Sequence, residues 1–127
     1  MDAALNYGKM LKDFFAGNPP KFDLILLGLG ENGHTASLFP GTDVIHEKDR
    51  WVKEVYVSDQ SMYRITMTAP LINFARNIVF LVTGSSKAGV LNTVLNGPYE
   101  PDIYPAQLIN PVNGKLYWFI DKEASAN

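Results

Sequence analysis

The side chains best placed for chemistry lie in two short glycine-bearing stretches. In the first, the apolar run Leu24–Leu27 leads into Gly28-Leu29-Gly30-Glu31-Asn32-Gly33, and His34 follows at once. An imidazole titrates near neutral pH and can take a proton from water. Glycine beside it relieves crowding and permits unusual backbone angles. Spacing alone leaves two readings of His34 open: a general base, or a side chain that caps a short helix or bonds a nearby carbonyl. In the second stretch Lys87 follows Gly84, Ser85 and Ser86, where a buried strand should turn into a helix. Backbone N–H groups and the helix dipole favour an anion at such a turn, and the lysine adds a full charge.

The first stretch also fits G-x-G-x-x-G, through Gly28, Gly30 and Gly33. As a dinucleotide fingerprint it should open a full crossover helix and be followed, about 20 residues on, by an acidic residue after the next strand. Asp59 follows a strand-like segment, but Pro40 closes the space after Gly33 within two helical turns. A nucleotide cofactor is therefore disfavoured. The two histidines, His34 and His46, have no carboxylate cluster at ligand spacing, so no metal is expected, and no cofactor is implied.

Composition bounds the rest. The 127 residues suit one domain, with 46% hydrophobic and 19% charged residues and a net charge of −2. No basic run suggests nucleic acid as a partner. No apolar run approaches the roughly 20 residues of a membrane helix. The absence of cysteine excludes disulfides and thiolate catalysis and suits a reducing, cytoplasmic setting.

The elements that must position these residues follow from periodicity. Residues 2–16 carry a helical apolar stripe ended by Gly17-Asn18-Pro19-Pro20. Residues 22–28 read as a buried strand, and 34–39 allow a short helix. Strands are expected at 51–57 and 63–69, with Ile65 and Met67 on one side and Arg64, Thr66 and Thr68 on the other. A proline-led helix at 70–75 precedes a second strong buried strand, 77–84, and a serine-led helix to Gly97. A proline-rich stretch, a strand at 115–120 and a short tail complete the chain. Strands alternating with helices predict an α/β fold with a doubly wound, mostly parallel sheet, Rossmann-like in type. The chain opens on a helix, whereas a complete domain of that kind opens on a strand and its ligand-binding turn.

Residues 22–41, FDLILLGLGENGHTASLFPG, resemble the signature of the 6-phosphogluconolactonases, roughly LLG-x-G-x-DGHTASLFP. The segments YRITMTAPLINFAR, VFLVTGSSKAGVL, YPAQLINP and WFID follow in that family's order. The resemblance spans nearly the whole chain but only the C-terminal half of the family's domain, so residues 1–127 are read as the C-terminal part of a single lactonase-like α/β domain. It implies hydrolysis of a small phosphorylated sugar lactone, 6-phosphoglucono-lactone, in the pentose phosphate pathway. His34 would be the general base, Lys87 would contact the substrate phosphate, and Arg64 would lie near the phosphate pocket. Where the family has aspartate two positions before the histidine, this chain has Asn32, which can orient the ring without supplying charge but can also favour the wrong tautomer. Backbone amides around Gly33 are candidate oxyanion donors, and Gly30 and Gly33 are read as lining the substrate site. The related glucosamine-6-phosphate deaminases carry a glutamate where Phe39 stands, which favours lactone hydrolysis over deamination. A chain that keeps fold and motif without efficient catalysis is the remaining alternative. Arg76, Thr35, Ser37, Tyr117 and Trp118 are read as structural, and Glu31 and His46 as exposed.

Overall fold

The computed structural model describes residues 2–126. Five strands and three α-helices follow in order: α1 (Asp2–Phe15), β1 (Ile25–Leu27), β2 (Val52–Val57), β3 (Met62–Met67), α2 (Ala69–Ile72), β4 (Asn77–Val82), α3 (Ala88–Asn96) and β5 (Lys115–Ile120). Short 3-10 turns cover Asp43–His46, Ser58–Gln60, Ser85–Lys87 and Pro105–Leu108. No helix among these is long and apolar enough to cross a membrane.

The main sheet is parallel, in the order β1-β4-β5. Ile25 sits beside Ile78, and Phe80 lies between Leu27 on one side and Trp118 on the other. One face of this sheet is the core. Ile25, Ile78, Phe80 and Val82 are buried there with Leu91 of α3, Leu38, Val44, Ile45, Ala106 and Ile109. Trp118 stacks flat on Phe80, with centroids 3.9 Å apart and planes 4° apart, so it is a packing residue as the sequence suggests.

β2 and β3 form a separate antiparallel pair. Val55 and Val57 point into the main core, while Val52 on the opposite side packs with Ala4 and Leu11 of α1 and with Leu71. The hairpin is thus held between α1 and the core. On β3 the two sides alternate as expected, but it is Thr66 that is buried and Ile65 that is exposed. The reason is polar. The Thr66 hydroxyl accepts from the Ser37 N–H at 3.1 Å and donates to the Met67 carbonyl at 2.8 Å, so burying it leaves nothing unpaired.

Two further expectations are corrected. Residues 34–39 form no helix. Thr35 and Leu38 are bridged, with the Leu38 N–H on the Thr35 carbonyl at 2.9 Å, and Ala36 between them adopts a left-handed φ of 51° that no helix continues through. At the other motif, Ser85–Lys87 make a 3-10 turn and the α-helix starts only at Ala88, with no side-chain cap at either start. The Arg76 guanidinium lies 3.4 Å from the Asp23 carboxylate, in an exposed pair.

The proline-rich stretch is tied down by one side chain. Asn73, which ends α2, donates to the Leu108 carbonyl at 3.0 Å and accepts from the Asn110 N–H at 2.8 Å, while its own carbonyl accepts from the Val112 N–H. Asn73→Ala strips side-chain bonds from the Leu108 carbonyl and the Asn110 N–H. We expect a loss of about 1–3 kcal/mol in the unfolding free energy read by urea denaturation, whereas a change within 0.5 kcal/mol would show the clamp to be dispensable.

Candidate functional site

The site grows from the end of β1. Past Leu27 the chain enters a closed turn in which the Gly30 N–H donates to the His34 carbonyl at 2.8 Å and the Gly33 N–H to the Gly30 carbonyl at 3.0 Å. The Thr35 hydroxyl reaches back to the Gly28 carbonyl at 2.7 Å, which fixes the exit of the turn to its entry. Both glycines are required sterically. A Cβ on Gly30 would lie 2.0 Å from Nδ1 of His34. Gly33 has a φ of 84°, and a Cβ there would lie 2.8 Å from the Tyr104 ring. The amides of Gly30 and Gly33 are spent inside the turn, so the Gly33 N–H expected as an oxyanion donor is already bonded. The role the geometry leaves them is to let the imidazole and Tyr104 approach.

The orientation of His34 follows from Asn32. The Asn32 Oδ1 accepts from the backbone N–H of His34 at 3.2 Å and lies 2.5 Å from its Nδ1. The backbone N–H can only donate, so it identifies that Asn32 atom as the oxygen. Nδ1 must then carry the ring proton, and Nε2 keeps its lone pair. An asparagine held this way selects the Nδ1-protonated tautomer. Phe39 stacks on the other side of the imidazole, with centroids 4.4 Å apart and planes 27° apart. Glu31 is exposed, and so is His46, whose ring contacts Asp102 at 3.5 Å.

Lys87 and Arg64 converge on this ring from two other elements. The Lys87 ammonium donates to the carbonyl of Leu29, the residue before Gly30. Arg64 projects from the same side of β3 as Thr66, the side that holds the 35–38 turn, and its Nε donates to Gln60 at 2.8 Å. Among the described residues neither cation pairs with a carboxylate. Burial first, then the charges of Lys87 and Arg64, hold the His34 pKa below the ordinary imidazole value. The ring is therefore neutral at neutral pH. The loop after β4 is less open than its sequence implies, because the Asp121 carboxylate accepts from the Gly84 N–H at 3.1 Å and from the Ala124 N–H at 2.8 Å.

The structure thus brings His34, Asn32, Gly30, Gly33, Lys87 and Arg64 to one place. Periodicity gave no signal for three other participants: Phe39 against the ring, Tyr104 against Gly33, and Ala106, whose N–H donates to the Gly33 carbonyl at 2.9 Å. They come from segments whose contact with the turn is purely tertiary. The electrostatic account has a direct check in the NMR titration of His34. Its midpoint should lie below about 6.5 and move upward in Lys87→Met, because one of the charges opposing protonation is gone. A midpoint that stays in place would remove Lys87 from the site's electrostatics.

Residues 1–118 match the family model described as glucosamine-6-phosphate isomerases/6-phosphogluconolactonase. A 6-phosphogluconolactonase of Synechocystis is 46% identical over 127 residues, covering 98% of this chain and 52% of the relative. The human 6-phosphogluconolactonase is 40% identical over 126 residues, covering 98% of this chain and 48% of the relative. The structure of 6-phosphogluconolactonase from Trypanosoma brucei superposes with a TM-score of 0.83 at 31% identity, over 98% of this chain and 52% of that one. The chain spans about half the length of the curated relatives it matches. The glycine turn, its imidazole and the parallel sheet that carries them therefore belong to a chain of the glucosamine-6-phosphate isomerase/6-phosphogluconolactonase family.

Proposed function

We propose that this chain carries the hydrolytic site for 6-phosphoglucono-lactone, a step of the pentose phosphate pathway, with His34 as general base. The observation that carries the reading is the fixed tautomer of His34: Nδ1 is engaged by Asn32, and Nε2 is left with its lone pair on a neutral ring. Nε2 takes a proton from water as the water oxygen attacks the lactone carbonyl. The tetrahedral oxyanion collapses, the bond from carbonyl carbon to ring oxygen breaks, and the imidazolium returns its proton to the departing alkoxide. The product is the open 6-phosphogluconate. Lys87 and Arg64, two cations without carboxylate partners, suit the substrate's phosphate group. A cysteine-free composition suits a cytoplasmic metabolic enzyme.

Deamination of an amino sugar phosphate fits less well. It needs additional acid–base groups, and the Phe39 ring lies flat on His34 where the deaminases carry a glutamate. A phosphosugar-binding chain without efficient turnover is the other reading, favoured by the half-length match to the relatives.

The test is lactone opening above the spontaneous rate, followed by acid release. His34→Ala should lower kcat by about 100-fold or more. Lys87→Met should mainly raise KM. The rate should rise with pH through the His34 titration, since only the neutral ring accepts the proton, and that limb should shift to higher pH in Lys87→Met. Undiminished hydrolysis by His34→Ala would overturn the mechanism. Phosphate-dependent binding without turnover would favour the binding-only reading.

A further inference from the structure

Three asparagines in this chain stand directly before glycine: Asn32, Asn96 and Asn113. That dipeptide carries its own reaction. The glycine peptide nitrogen attacks the asparagine side-chain carbonyl carbon, and the bond from that carbon to the amide nitrogen breaks. Ammonia leaves with the proton of the glycine N–H, and a cyclic imide remains. Water then opens the imide at either of its carbonyls. One opening gives aspartate. The other gives isoaspartate, whose main chain runs through the side-chain carbons and is longer by a methylene. Glycine favours the attack because no Cβ crowds its nitrogen. Water is the only co-reactant.

The fold treats the three steps differently. At Asn32 both reacting groups are held. The Gly33 N–H donates to the Gly30 carbonyl at 3.0 Å, and the Asn32 Oδ1 is engaged by the backbone and the ring of His34. At Asn96, the last residue of α3, the Gly97 N–H donates to the Thr93 carbonyl at 2.9 Å and the side-chain amide donates to Asn92 at 2.8 Å. Asn113 is different. It lies exposed in the bend that precedes β5, and among the described residues no hydrogen bond holds its side chain or the Gly114 N–H. No local bond has to open before the imide can close.

The surroundings give the product a structural consequence. Just before the step the Val112 N–H donates to the Asn73 carbonyl at 2.8 Å, and just after it the Lys115 N–H donates to the Arg76 carbonyl at 3.0 Å. Between these anchors Gly114 lies so close to the chain that a Cβ would stand 2.2 Å from the Ala75 carbonyl oxygen. An isoaspartate inserts a methylene between two fixed bonds, where the fold has no room to spare. One of the bonds must yield, and both tie the start of β5 to the segment that ends α2.

We propose that Asn113 is the site at which the folded chain deamidates, and that its isoaspartate form loosens the junction between α2 and β5. The bonds that orient His34 keep Asn32 unmodified over the same period. Nothing in this chemistry depends on lactone hydrolysis.

The experiment incubates the purified chain in mildly alkaline buffer, folded and in urea. Samples are digested at low pH, and the three Asn–Gly peptides are quantified by mass spectrometry after chromatography that separates aspartate from isoaspartate. In urea all three steps should convert. In the folded chain Asn113 should convert near its unfolded rate, and Asn32 and Asn96 at least about tenfold more slowly, because their local bonds must open first. The aged chain, separated from the fresh one by ion exchange, should unfold at a lower urea concentration. Asn113→Asp adds the charge without the methylene and should keep the fresh midpoint, and Asn113→Ala should keep it through ageing. Conversion at Asn32 or Asn96 as fast as at Asn113, or slow conversion at Asn113 in the folded chain, overturns the site. An unchanged midpoint in the isoaspartate form, or an equal loss in Asn113→Asp, overturns the loosened junction.

Discussion

One oxygen atom sets the orientation of His34. The Asn32 Oδ1 takes a hydrogen bond from the backbone of His34 and another from its ring, so a single acceptor holds both ends of the same residue. The backbone bond decides which way the amide points, and the amide then decides which ring nitrogen is protonated. Everything nearby serves that geometry. Gly30 must lack a side chain, because the imidazole occupies the space its Cβ would need. The turn's own amides close it into a rigid loop, and Thr35 locks that loop to the end of β1. An aspartate at position 32 would add a charge, and asparagine forgoes that charge while preserving the orientation.

The surrounding charges complement this arrangement. Burial of the imidazole, with Lys87 and Arg64 nearby, opposes its protonation. The same two cations lack carboxylate partners among the described residues. A buried hydroxyl links the hairpin to the turn. Thr66 faces inward because it holds the Ser37 amide, and the alternation of β3 then carries Arg64 to the same side.

The turn stands at the carboxyl end of a parallel strand, where α/β sheets place their ligand sites. Here that sheet has three strands and one bare face. The glycine turn is held by contacts on the covered face, through Leu38, Tyr104, Ala106 and Thr66. The contacts that orient His34 thus lie on the covered side of the sheet.

Much was legible in the sequence. The apolar runs at 24–27 and 77–82, the glycine spacing, and the positions of His34 and Lys87 are local facts, and they determine parallel strands that end in glycine turns. Local chemistry does not decide which hydroxyl can be buried, so a hydrogen bond to a residue from a separate segment put Thr66 rather than Ile65 inside. Nor does it reveal that residues 34–39 turn instead of coiling, because the bond from Thr35 to Gly28 and the bridge to Leu38 outweigh helix propensity. By itself the sequence determined the reactive groups, their order and the strand ends that carry them. Only the tertiary structure decided their alignment: which nitrogen of His34 holds the proton, which ring packs on it, and which cations surround it. Those depend on atoms within a few ångströms contributed by distant segments, and local periodicity does not encode such distances.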